Sequence, residues 1–209
     1  MPLLAKCVAG CFILATLGLV INGSAAQDKV KEKKKVELKV KVGDKAPSFE
    51  SVDESGKTFT SSDVVGKKIV VLYFYPADFT GGCTAQACGF RDEIEKLNSA
   101  GVLVVGVSGD SVETHKLFKA HHKLPFTLLA DSKGNVAKAF GVPFTVGEKT
   151  AKGVNEKGEK IDVVRTATIN RWTVVIDKAG NLAAIDSISK GAGDDAKRVA
   201  ELVKKLDTK

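Results

Sequence analysis

The stretch IVVLYFYPADFTGGCTAQACGF, residues 69–90, carries the information that sets the fold. Its first seven residues, Ile69 to Tyr75, are continuously apolar, β-branched or aromatic. Such a run fits a strand covered on both faces better than a half-exposed one. Pro76 stops it, because proline has no amide hydrogen to give to a ladder. From about Thr80 the pattern predicts a helix through Ile94 and Leu97, ending at Gly101. A buried strand feeding a helix through a short loop is the building unit of α/β sheets, and chemistry in such sheets gathers where the strand ends and the helix begins. Two cysteines, Cys83 and Cys88, lie at that junction.

Downstream the unit recurs. VLVVGVS (102–108) reads as a second buried strand, and Asp110 with Glu113 as a capping-box start for a helix to about His122. FTLLAD (126–131) reads as a third strand and Val136 to Phe140 as a short helix. Residues 144–162, turn-rich and charged, read as an inserted hairpin or loop. TVVID (173–177) is expected to be a fourth strand, turning at Lys178-Ala179-Gly180-Asn181 into LAAIDSI, an antiparallel fifth. Asp194-Asp195 opens a last amphipathic helix with Val199, Leu202, Val203 and Leu206 on one face. Gly106 and Gly109 suit strand packing and a turn, since no phosphate-loop pattern accompanies them.

Upstream, Ser55-Gly56-Lys57 suits a turn between short strands around Phe49 and Phe59, and the alternation Val36, Leu38, Val40, Val42 suits a half-exposed edge strand. Strands alternating with helices, then a closing hairpin and helix, give a three-layer α/β/α sandwich with a mixed central sheet.

The chain has 209 residues and a 44% hydrophobic fraction, enough to fill the core of one ordinary domain. Residues 1–26 read as a signal peptide: one charge at Lys6, an apolar run from Val8 to Ile21, then Ser24-Ala25-Ala26 before Gln27. That run falls short of the roughly 20 residues of a membrane span. The expectation is therefore an exported, periplasmic or secreted protein, membrane-anchored only if the leader is retained. Residues 27–42 read as a charged linker and edge strand, and 43–209 as the folded domain. Cleavage would remove Cys7 and Cys11, leaving Cys83 and Cys88; two cysteines do not make a disulfide-scaffold domain. Net charge is +7, and much of the excess lies between Lys29 and Lys45 with no aromatic residues among the lysines. That suits a solvated tether, not a surface on which nucleic-acid bases stack.

A thiol in the first turn of a helix meets unpaired amide N–H groups and the positive end of the helix dipole, which favour the nucleophilic thiolate. Thr80, three residues before Cys83, can bring a hydroxyl to the same place as donor and acceptor. Pro76 offers no donor and can shield the pocket from water. A nearby cation would strengthen the effect, but sequence order alone does not identify it. Within a continuous helix, Cys83 and Cys88 are separated by roughly 7.5 Å of rise and a rotation near 140°. Their Cα atoms are then roughly 8–9 Å apart, beyond the roughly 7 Å limit for a disulfide. They can bond only if the intervening turn unwinds, so a transient bridge makes more sense of the spacing than a structural one.

The segment Pro76-x-x-x-Thr80-x-x-Cys83 resembles the active-site motif of the peroxiredoxins, thiol peroxidases of thioredoxin-like fold, and a partner cysteine five residues on resembles their bacterioferritin-comigratory or Q-type branch. The resemblance runs from about Val42 to Leu206 and includes VGDKAPSFE, VVGVSGD, LPFTLLAD and RWTVVID. It implies a thioredoxin-like sandwich and a thiol-dependent peroxidase of the atypical two-cysteine kind, acting on hydrogen peroxide and organic hydroperoxides. Cys83 would be oxidised to a sulfenic acid, Cys88 would resolve it as a disulfide, and a thioredoxin-like dithiol protein would recycle it. Arg171 takes the position of an arginine that contacts the catalytic thiolate in the family, in preference to Arg165 in the insertion. The resemblance implies no cofactor and no metal, and it suggests a monomer. Three features depart from the family: Gly81-Gly82 stand where a proline is common, which loosens the helix start, Trp172 replaces a typically small residue, and the insertion at 144–162 is longer than usual.

Three other readings compete, the blandest of them a non-catalytic binding module with an inert disulfide. A thioredoxin-like thiol–disulfide oxidoreductase normally uses C-x-x-C, whose ring closes without unwinding. A copper-binding redox protein would need both thiols and one of His115, His121 and His122, read here as exposed residues of one helix.

Overall fold

Strand β3 (Ile69–Phe74) is fully buried along its length, as its unbroken apolar run requires. In the computed structural model, which describes residues 40–155 and 157–206, its neighbours are β4 (Val102–Ser108), parallel, and β8 (Trp172–Ile176), antiparallel. Beyond β4 lies parallel β5 (Thr127–Ala130), then antiparallel β1 (Glu50–Asp53) and β2 (Thr58–Thr60); beyond β8 lies antiparallel β9 (Leu182–Ser187). The resulting mixed sheet has the order β2-β1-β5-β4-β3-β8-β9. A separate hairpin pairs β6 (Phe144–Val154) with β7 (Lys160–Ile169).

The period-2 alternation of β3 divides the core. Ile69, Val71 and Tyr73 face a layer that includes α1 (Gly81–Asp92), α2 (Ile94–Ser99), α3 (Val112–His122) and α5 (Asp195–Leu206), through residues such as Phe90, Leu97, Phe118 and Val199. Val70, Leu72 and Phe74 face the other way, onto α4 (Asn135–Phe140) and the aromatic rings of Phe49, Phe59 and Phe144. The expected α/β/α sandwich is present, with unequal helical layers.

Several expectations need correction. The long helix from Thr80 to Gly101 is two helices, broken at Glu93, whose φ of −97° and ψ of 2° leave the helical region. Helix α3 is capped by Ser111, whose hydroxyl accepts from the Thr114 amide, and not by Asp110, which is buried elsewhere. The expected edge strand at 36–42 falls mostly outside the described residues, as does the signal peptide. Its described part, residues 40–42, is no strand: the Asp44 amide bonds the Lys41 carbonyl in a turn that leaves Val42 exposed. The inserted hairpin is longer than expected, reaching Ile169, and it is anchored: the Thr166 amide bonds the Gly109 carbonyl at the end of β4. A side chain at Gly109 would put its Cβ 2.2 Å from the Ala167 carbonyl oxygen, so only glycine permits this approach.

Candidate active site

The register of β3 against β8 brings together residues far apart in sequence. Phe74 lies opposite Trp172, so the antiparallel ladder carries Arg171 to the carboxyl end of β3, where the loop Pro76–Thr80 leads into α1. Thr173 pairs with Tyr73 and so shares the α1 face of the sheet, whereas Trp172 packs against the core of the opposite face. Trp172 is thus a half-buried aromatic packed against the edge of that core.

Cys83 is the third residue of α1 and is 1% exposed. Thr80 is the N-cap, with extended backbone (φ −90°, ψ 143°), yet its side chain caps nothing. Its hydroxyl donates instead to the Ala77 carbonyl at 3.0 Å, leaving the oxygen lone pairs free to accept. Nη2 of Arg171 lies 3.1 Å from Cys83 Sγ, with the guanidinium as donor. Three of the expected residues therefore converge: the cysteine, the threonine at the same helix start, and the arginine. Pro76 is half-buried at the end of β3, in the same loop. Arg165 lies on β7, where its Nε bonds the Thr168 hydroxyl.

Cys88 is half-buried in the same unbroken helix, and both cysteines are free thiols. The helical separation expected from the sequence therefore applies. Beneath them, Tyr73 stacks on Phe90 with centroids 4.8 Å apart, and its hydroxyl has no hydrogen-bond partner. Burial, then the charges of Asp78, Cys83 and Cys88, hold its phenol well above the ordinary range, so it stays neutral.

Two polar assemblies around the thiol were not legible in the sequence. The first begins at Arg171, whose Nη1 donates to Gln86 Oε1. Gln86, fully buried on α1, donates through Nε2 to Asp195 Oδ2 at 2.8 Å, and that carboxylate also accepts from Thr173 Oγ1 (2.6 Å) and Arg198 Nη2 (2.6 Å). The second lies under the loop. Asp78, fully buried, accepts from Tyr75 at 2.7 Å and is 2.7 Å from His115 Nδ1, while its amide donates to Asp110 Oδ2 at 2.9 Å. His115 is fully buried, not exposed as expected; His121 is exposed and His122 half-buried. Burial alone would push His115 down, but Asp78 and Asp110 outweigh it and the net shift is upward. Burial, then the Asp78 charge, push Asp110 up to about 6. Next to Asp78, Phe79 is held at φ +57°, a left-handed conformation that costs a non-glycine residue about 1–3 kcal/mol. Among the described residues no three His, Cys, Asp or Glu side chains come together as a metal site.

A cysteine at a helix start, gripped by an arginine from an antiparallel neighbour strand in a thioredoxin-like sheet, defines a class of reactive-thiol proteins. The comparisons with known proteins narrow that class. The sequence pattern of the AhpC/TSA family matches residues 42–185. A bcp-type peroxiredoxin of Coxiella burnetii is 41% identical over 169 residues, covering 81% of this chain and all of that protein. A chloroplastic peroxiredoxin Q of Populus jackii is 52% identical over 105 residues, half of this chain and 49% of the plant protein. Of solved structures, peroxidoxin BcpB of Mycobacterium tuberculosis superposes with a TM-score of 0.65 at 29% identity, covering 80% of this chain and 98% of that one. A Xanthomonas campestris peroxiredoxin Q gives 0.60 at 27% identity over 75% of this chain and 90% of its own. The chain belongs to the AhpC/TSA family, and within it is similar to the bcp and Q types, thiol-dependent peroxidases.

Proposed function

We propose that Cys83 reduces hydrogen peroxide and organic hydroperoxides, that Cys88 resolves the oxidised sulfur, and that a thioredoxin-like dithiol protein recycles the pair. The observation that carries this reading is the 3.1 Å contact between Arg171 Nη2 and Cys83 Sγ at the mouth of α1. The guanidinium and the helix start both favour a thiolate there. Attack of the sulfur on one peroxide oxygen breaks the O–O bond; the sulfur loses two electrons and becomes a sulfenic acid, and the leaving oxygen takes a proton to become water or an alcohol. Developing charge on that oxygen is met by the Arg171 N–H groups and the first-turn amides, while the Thr80 oxygen, whose O–H is given to the Ala77 carbonyl, accepts from the peroxide hydroxyl. Pro76 closes the pocket without offering a competing donor.

Resolution requires the turn between the cysteines to unwind. The Cys88 sulfur then bonds the Cys83 sulfur, the S–O bond breaks and water leaves. Thiol–disulfide exchange with the reductant restores both thiols. The exported location rests on the leader's composition, and N-terminal sequencing of the mature protein tests it.

The decisive experiment is peroxide consumption by cysteine variants. Cys83→Ser abolishes it. Cys88→Ser consumes one equivalent and then stalls with a thioredoxin-type reductant, and full turnover by that variant would refute the resolving role. Reduction of insulin without peroxide would instead favour a thiol–disulfide oxidoreductase.

A further inference from the structure

Gln86 sits between the two cysteines on α1, and its side-chain amide is held at both ends. Its Nε2 donates to Asp195, so its oxygen must point to Arg171, and that oxygen holds Nη1 while Nη2 reaches Cys83 Sγ. Asp195, 2% exposed at the first turn of α5, is itself fixed by Thr173 on β8 and by Arg198, which also bonds Asp186 on β9 at 2.5 Å. Any unwinding that brings Cys88 to Cys83 moves the residues between them and pulls Gln86 away from Asp195. The same movement releases Arg171 from Gln86.

We infer that Asp195 is a positioning residue with two linked effects: through Gln86 it aims Arg171 at the Cys83 sulfur, and it latches the helical turn that must open before Cys88 can reach Cys83. The inference rests on the peroxidase reading for its biological meaning, but the latch is a property of the reduced protein. The bond at stake joins a buried amide to a carboxylate. Bonds of that kind contribute about 1.5–3 kcal/mol, equivalent to roughly a ten- to hundredfold change in the opening equilibrium.

The test uses the full-length reduced protein and two variants. Asp195→Ala removes the acceptor. Asp195→Asn keeps one oxygen for Gln86 and Thr173 and gives up only the pairing with Arg198, which is exposed enough to turn to solvent. Two readouts need no peroxide: amide hydrogen exchange over residues 84–89, and the pH profile of Cys83 alkylation by iodoacetamide in a Cys88→Ser background. Asp195→Ala should exchange about ten- to hundredfold faster over 84–89 while the rest of α5 stays protected, and its alkylation profile should move to higher pH. Asp195→Asn should restore both readouts to near wild type. The proposal is overturned if either readout fails to move in Asp195→Ala, or if Asp195→Asn behaves like Asp195→Ala. A Cys83 that alkylates normally but ignores hydroperoxides would sink the peroxidase reading and leave the latch standing.

Discussion

Arg171 divides its two terminal nitrogens between partners, Nη2 to the Cys83 sulfur and Nη1 to the Gln86 oxygen. A planar fork can hold both at once, whereas a lysine ammonium on a flexible stem cannot reproduce the pair of directions. Arg171→Lys is therefore expected to slow Cys83 oxidation by about 10- to 100-fold, the equivalent of one charge-assisted hydrogen bond, despite unchanged formal charge. Stoichiometric peroxide consumption in a Cys88→Ser background measures that step, and a rate near wild type would show that charge alone suffices. At this scale the sequence was legible where the chemistry was local: Thr80, Cys83 and Cys88 follow from helix-terminus electrostatics and helical spacing. Arg171 required a resemblance, since 88 residues separate it from Cys83 and only the β3–β8 register closes the gap. Gln86 and Asp195 gave no signal, because a glutamine in mid-helix and an aspartate at a helix start are ordinary on any surface. The burial of His115 has no local signal, because the carboxylates that receive it come from the loop after β3 and from just beyond the end of β4.

At the scale of elements, the strands were readable from composition, since a β-branched run with turn residues at both ends leaves few alternatives. The break at Glu93 was not, because FRDEIEKL keeps a helical period with no Gly or Pro to punctuate it. The start of α1 matters most for mechanism. Gly81 is its first residue, its absent Cβ would meet nothing within 4 Å, and Thr80 before it has the extended backbone that a following proline demands. Gly81→Pro should therefore be accommodated without strain and stabilise the reduced protein by about 0.4–1 kcal/mol, by restricting the unwound chain. The same restriction opposes the opening that the proposed resolution by Cys88 would need. Disulfide formation after one equivalent of peroxide should slow by roughly two- to fivefold, while thermal unfolding shifts up by about 1–4 °C. Stopped-flow fluorescence of the single tryptophan, Trp172, offers a signal for the first, and calorimetry measures the second. A variant that is stabilised yet closes its disulfide at the wild-type rate would mean that the turn opens from its other end.

For the molecule as a whole, the buried cluster under the loop ties four elements into one pH-dependent unit. Asp78 from the loop after β3 and Asp110 from the end of β4 meet His115 on α3, and His115 Nε2 lies 3.2 Å from the Leu129 carbonyl on β5. Tyr75 is the other titratable group bonded there, and burial, then the Asp78 charge, keep its phenol neutral by raising it well above the ordinary range. Asp110 titrates near 6 in the folded protein against 3.8 for a free carboxyl, so between these values the native state binds more protons than the unfolded one. Stability must then fall as pH rises through that window, by up to about 3 kcal/mol. His115, raised above 6.5, acts with the same sign: its contribution is full below 6.5 and is lost as pH climbs through the folded value. Asp131, raised by burial, adds to this decline, whereas His122, lowered by burial, opposes it just below 6.5; the carboxylates of Asp53, Glu113 and Glu201 are shifted down and act oppositely at more acid pH. The melting temperature of the reduced protein should therefore decline by roughly 5–10 °C from pH 4.5 to 7.5. Asp110→Asn keeps an oxygen for the Asp78 amide and the Ser108 hydroxyl, which both bond Oδ2, and removes the charge. It should flatten the decline below pH 6.5, leave only a smaller His115–Asp78 contribution above it, and melt no lower than wild type at pH 7.5. Thermal denaturation across that pH range decides the matter: an Asp110→Asn protein with the full wild-type slope would place the linkage outside this cluster.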